Sequence, residues 1–292
     1  MLDRLRRFGI PLLVYTFFIS PFVSWMALGA APGAHVPFVA YWVSRMGPQT
    51  MDTGVMWFVW ALLLMDGVFV LWVRYVPHAD LFGRVAAGFP SMRRLCAFAL
   101  AVGAASFLVR MVIPVGASVL WGLQLAYFPG YIAAFVAGIA AWRGCWLDDI
   151  PDGVFRSART AVIAATVSFP AVLLLLIVST PKPGPVVAGG FHWQAALYAM
   201  WEPWLLVGMS VCLLRWGQQR LNAPSSLHDW ATGSYVAYML QPIFIVGLAI
   251  LLRTAALPPI AKFPIVAAGA IALAYAVARG LREFAPVRAL VG

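Results

Sequence analysis

Eight stretches of this chain are apolar for long enough to cross a lipid bilayer. Their approximate limits are 9–30, 55–73, 95–113, 123–142, 158–179, 194–214, 231–252 and 262–279. An apolar run of about 18 residues with few charges is the signature of a transmembrane helix. Lipid offers no partner for a free backbone N–H or C=O, so such runs must satisfy their own hydrogen bonds as helices. The alternating pattern of a membrane barrel is missing. Composition agrees: 63% of residues are apolar and 10% are charged. A soluble domain carries about 25% charged residues to cover its surface. The sequence therefore predicts an all-α integral membrane protein, one membrane domain over residues 1–292 built as a bundle of eight transmembrane helices.

The net charge of +10 could belong to a nucleic-acid binder, but its distribution excludes that class. The 18 Arg and 2 Lys fall in short clusters between the apolar runs, which is how membrane topology is written. With the N-terminus in the cytoplasm, only Arg45, Arg110, Lys182, Arg253 and Lys262 lie outside. The other fifteen basic residues, Arg84 and Arg288 among them, mark inner segments. The opposite orientation inverts the ratio, so the positive-inside rule predicts cytoplasmic N- and C-termini. Reporter fusions in 84–94 and 215–229 are expected to read as cytoplasmic, and those in 35–50 and 181–190 as external. A fusion in 84–94 that reads as external overturns this orientation. The opening "RLRR", an apolar run and "ALGAA" echo a signal peptide, but the run is too long for the ~7–15-residue core of one. The excess of Arg over Lys with abundant Ala points to a bacterial gene and thus to the cytoplasmic (inner) membrane.

Charge inside a membrane is expensive, so intramembrane ionisable residues are candidates for function. Two carboxylates qualify, Asp66 in "WFVWALLLMDGVFVLW" and Glu202 in "LYAMWEPWLLVGM". Pro203 follows Glu202, removes a backbone donor and favours a kink there. Each acid either lines a cavity or hydrogen-bonds a neighbouring helix, and the residues alone leave both open. Arg110, near the outer end of the third run, and Gln241, just before Pro242, are further polar candidates for a cavity. The four histidines, His35, His78, His192 and His228, fall at loops rather than mid-span. Cys96, Cys145 and Cys212 form no CxxC pair and no metal-type spacing with His, so no metal site is expected. The outer segments "GAAPGAHVP" and "TPKPGPVVAGG" carry helix-breaking Pro and Gly. Between the first two runs, "FVAYWVSRM" suits a short amphipathic helix at the membrane surface.

Five stretches, in order, resemble the membrane-bound acyltransferase 3 family. They are "DRLRRFGIPLLVYTFFISPF", "GVMWFVWALLL", "YFPGYIAAFVAGIAAWRGCWLDDIP", "WEPWLLVGMSVCLLRWGQQRLN" and "GSYVAYMLQPIFIV". The tail "KFPIVAAGAIALAYAVARGLREFAPVRAL" is similar to the family's last span. The resemblance implies about ten spans and transfer of an acyl group, often from acyl-CoA at the cytoplasmic face, to a hydroxyl of a glycan, lipid or metabolite. It also implies an Arg-x-x-Arg at the family's third span that handles the acyl donor, matched here by Arg4 and Arg7. Three residues apart at a helix start, the two guanidiniums share roughly one face at the boundary, and guanidinium suits phosphate. Membrane anchoring by positive charge explains the same pair without a ligand.

The resemblance places the family's His base in a first span with no counterpart here, together with a "FFxiSG" segment of the second. Eight spans and two more make the family's ten. A start assigned too late, a broken gene or a separate polypeptide supplying two spans would each account for this. Gln241 stands where the family has a later His. General-base catalysis is worth about 10²–10⁴-fold, and Glu202 and Asp66 are the candidates left to supply it. The expected partners are membrane lipids, acyl-CoA as donor substrate and a hydroxyl-bearing acceptor, with no bound cofactor. Alone, the chain is expected to insert without transferring acyl groups. Two alternatives stand beside the enzyme: a non-catalytic remnant or subunit, and a lipid or glycan transporter or flippase.

Overall fold

The computed structural model describes residues 4–31, 33, 36–47, 50–76, 87–221 and 228–283, with 228–232 described by backbone alone. Among them are eight helices long and apolar enough to cross a membrane. They are α1 (Leu5–Gly29), α2 (Gly54–Tyr75), α3 (Met92–Val112), α4 (Leu125–Arg143), α5 (Asp152–Val178), α6 (Trp193–Arg220), α7 (Gly233–Leu251) and α8 (Pro259–Leu281). Each predicted run has its helix, and no named strand occurs among the described residues. A short helix, Phe38–Ser44, falls within "FVAYWVSRM".

Prolines shape several of these helices. In α1, Leu5–Gly9 and Tyr15–Ile19 wind as π-helix, immediately before turns that hold Pro11 and Pro21. A proline has no N–H and its ring crowds the carbonyl four residues back, and a widened turn relieves both. Pro170, Pro203, Pro242 and Pro264 lie inside α5, α6, α7 and α8. Membrane helices tolerate interior prolines where neighbours re-satisfy the freed carbonyls.

The chain packs as two compact units. One holds residues 1–75, 119–123 and 225–292, the other 76–118 and 124–224. The first unit contains α1, α2, α7 and α8. Its centre joins Leu12 and Tyr15 of α1 to Met56, Val59 and Leu63 of α2 and Met239 of α7. The α7–α8 seam is built on buried Ala274 and Ala278 facing Val236 and Ala237, small residues that let backbones approach. Phe8 meets Tyr235 near one end of α1 and α7, and Met26 lies beside Gly247 near the other, so these two helices run the same way. Ser234 with Tyr275, and Leu248 with Gly269, set α7 and α8 in opposite senses. That is the alternation successive crossings require.

Residues 119–123 add a tight hairpin to this unit. Val119 and Leu123 exchange two backbone hydrogen bonds of 2.8 Å, and the turn between them places Leu120, Trp121 and Gly122 at φ of 45°, 67° and 98°. Left-handed backbone at two bulky residues is costly and persists only where the surroundings hold it. Thr53 supplies that hold through its N–H and hydroxyl to the Trp121 carbonyl, at 3.1 and 2.9 Å. Trp60 donates to the Leu120 carbonyl and stacks on Trp121.

The second unit contains α3 to α6. Helix α6 packs on both α3 and α5, and glycine marks each approach: Gly103 of α3 against Met200, and Gly208 of α6 against Val162. Gln194, near the start of α6, donates to the Ser179 hydroxyl just past the end of α5. At the other end of these two helices, Arg215 binds Asp152 at 2.7 Å.

Candidate functional site

Both candidate acids are found in ion pairs, each with one of the candidate arginines. Arg4 lies at the tip of α1. Its Nη1 donates to both oxygens of Asp66 at 2.8 Å. Asp66 sits just past the middle of α2, and its side chain is 7% exposed while that of Arg4 is 63% exposed. One nitrogen of the guanidinium is therefore fixed and much of the rest faces outward. Arg7 is exposed one turn further along α1. Gln241 lies half-buried on α7 of the same unit.

The second pair sits in the α3–α6 unit. Arg110, near the end of α3, is 1% exposed. Its Nη2 donates to Glu202 Oε2 and its Nε to the Ala126 carbonyl. The rings of Tyr127 and Tyr198 flank the guanidinium, each centroid 5.1 Å from its carbon. Such stacking stabilises a desolvated cation by about 2 kcal/mol. The Tyr198 ring thus lies beside the same guanidinium that Glu202 accepts from. Arg110 Nη1 and, next to Glu202 in sequence, Trp201 Nε1 are buried without a partner. Glu202 itself keeps 24% exposure, so the cluster is open on the carboxylate side.

Chemically, Asp66 and Glu202 already accept guanidinium protons. Arg4 reaches both oxygens of Asp66, whereas Arg110 engages only Oε2 of Glu202 and leaves Oε1 to other contacts. Arg110, predicted as a polar cavity residue, is a packed cation. Of the histidines, His35 and His78 lie outside the described residues, as do Arg84 and Arg288, and His228 is described by backbone alone. His192 precedes the first turn of α6. Among the described residues no group of three or more metal-ligating side chains gathers.

Tyr198 was legible in principle: it lies four residues before Glu202, on one helix face. Tyr127 comes from the turn before α4 and carries no such signal. Comparison with protein-family models, curated proteins and solved structures finds no match to this chain.

Proposed function

We propose that this chain is an acyltransferase-3-type membrane protein of the bacterial inner membrane. Its donor is acyl-CoA, bound at the cytoplasmic face, and its acceptor a hydroxyl of a glycan, lipid or metabolite. The observation that supports this beyond the resemblance is the state of Arg4. A buried carboxylate fixes one of its nitrogens while most of the side chain stays open, an arrangement suited to holding a phosphate of CoA. Asp66 is on this reading a positioning residue and not the base. The engagement of both acids in ion pairs favours a second form of the proposal, a donor-binding subunit whose base comes from another polypeptide.

Acyl-CoA binding to the purified protein tests it. Removing charge-assisted hydrogen bonds costs about 1.5–3 kcal/mol, so Arg4→Ala with Arg7→Ala should weaken CoA binding at least tenfold. Asp66→Asn should weaken it less, because Arg4 keeps its charge and loses only its orientation. Membrane insertion should persist in both variants, since the remaining basic flanks are intact. Unchanged CoA affinity in the double variant would reduce Arg4 and Arg7 to anchors.

A further inference from the structure

We propose that the α3–α6 unit holds one acyl tail of an anionic phospholipid, its phosphate against Arg94. This rests only on the membrane fold and not on the acyl-transfer reading. A groove of about 580 Å³ opens between α3, α4 and α6. Its walls are apolar, with Phe98 of α3, Ala137 and Gly138 of α4, and Leu206 and Val211 of α6 among them. Ligand sites commonly enclose about 300–1,000 Å³. Of the two lining residues with a polar group beyond Trp146, Ser210 turns its hydroxyl back to the Leu206 carbonyl of its own helix. Arg94 is the one charged residue of the lining.

The position of the groove identifies its occupant. It takes in the start of α3, the second half of α4 and α6 from its middle at Leu206 to Leu214, toward one membrane face. Along α6 it runs from Leu206 to Leu214, about 12 Å at 1.5 Å per residue. One leaflet of a ~30 Å hydrocarbon core has nearly that depth. Arg94 stands at the headgroup end, exposed, and among the described residues no carboxylate pairs with it. Of the acids at this end, Asp149 and Asp152 pair with Arg215, and Asp148 forms no ion pair with Arg94. The positive-inside argument puts this face in the cytoplasm, where the leaflet is anionic. A phosphodiester with no compensating cation complements Arg94, whereas a choline headgroup brings its own positive charge. In acyl-CoA the pantetheine arm separates the chain from its phosphates, so a tail seated in the groove cannot set them against Arg94.

The test is native mass spectrometry of the delipidated protein with added phosphatidylglycerol or phosphatidylcholine of the same chains. Wild type should retain phosphatidylglycerol preferentially. A basic side chain near an anionic surface is worth about fivefold in binding, so Arg94→Ala should remove a preference of that size. Arg156→Ala, an exposed cation of α5 outside the lining, should leave it. Gly138→Phe should abolish retention of both lipids; a Cβ at Gly138 meets nothing within 4 Å, so the side chain starts in open space and not in a helix seam. A thermal melt equal to wild type checks that the variant folds. Unchanged retention in folded Gly138→Phe overturns the site, unchanged preference in Arg94→Ala overturns the headgroup contact, and displacement of bound lipid by acyl-CoA overturns the choice of occupant.

Discussion

Glu202→Leu is expected to destabilise the protein strongly, although the substitution adds apolar surface in an apolar environment. It removes the acceptor of Arg110 Nη2 and leaves a buried cation with one carbonyl and two tyrosine rings. Removing one partner of a buried ion pair costs about 3–5 kcal/mol. Glu202 is partly exposed, so water screens part of the interaction and the low end, about 3 kcal/mol, is expected. The double variant Arg110→Leu/Glu202→Leu should recover most of the loss, because no charge then remains to be desolvated. Glu202→Gln should fall between, its amide oxygen still accepting from the guanidinium. Thermal unfolding in detergent, arranged as a double-mutant cycle, measures this. If the double variant is no more stable than Glu202→Leu, the pair is not what holds Arg110 in place.

Gly103→Leu is expected to have an effect at least as large, for a steric reason. A Cβ built at Gly103 comes 2.7 Å from Met200 Sδ, 3.2 Å from Met200 Cα and 3.3 Å from the Ala199 carbonyl oxygen. The methionine sulfur can swing aside, but the backbone of α6 cannot do so without parting from α3. Overpacking a tight contact costs about 1–3 kcal/mol, and a leucine, three carbons beyond that Cβ, should reach or exceed the top of that range. Gly103→Ala should cost less, and Gly130→Ala should cost nothing, since a Cβ there meets nothing within 4 Å. Cys96 of α3 and Cys212 of α6 are half-buried and unpaired, whereas Cys145 is exposed. Cys96 lines a small cavity with Trp204 and Val207 of α6, so in a Cys145→Ser/Cys212→Ser background its rate of thiol labelling reports separation of α3 from α6. Labelling of Gly103→Leu at the wild-type rate would show that α3 and α6 do not depend on this approach.

The eight helices were legible because lipid imposes a local rule: every backbone group must find its partner within its own segment. The boundaries were less so. Helix α5 starts at Asp152, six residues before the predicted limit, and α6 ends at Arg220, six residues after it. Polar residues ended those predicted runs, but helical hydrogen bonding continues through them, and Asp152 suits a helix start electrostatically. Arg215 pairs with it there. The left-handed turn at Leu120 and Trp121 left no trace in the sequence, since neither residue favours that conformation.

The candidate residues were legible as types and not as partners. A charge within an apolar run stands out in any sequence, so Asp66, Glu202 and Arg110 could be named one by one. That Arg4 meets Asp66 across 62 positions and Arg110 meets Glu202 across 92 could not. Those pairs depend on which helices lie side by side. In water, an apolar stripe reveals the face a helix buries. In lipid, the outside is as apolar as the inside, and small residues at close approaches such as Gly103 and Gly208 choose the neighbours instead. The sequence alone determined that this chain lives in a membrane, how often it crosses and which charges it carries inside. The tertiary structure decided what those charges hold, because that follows from packing between helices far apart in the chain.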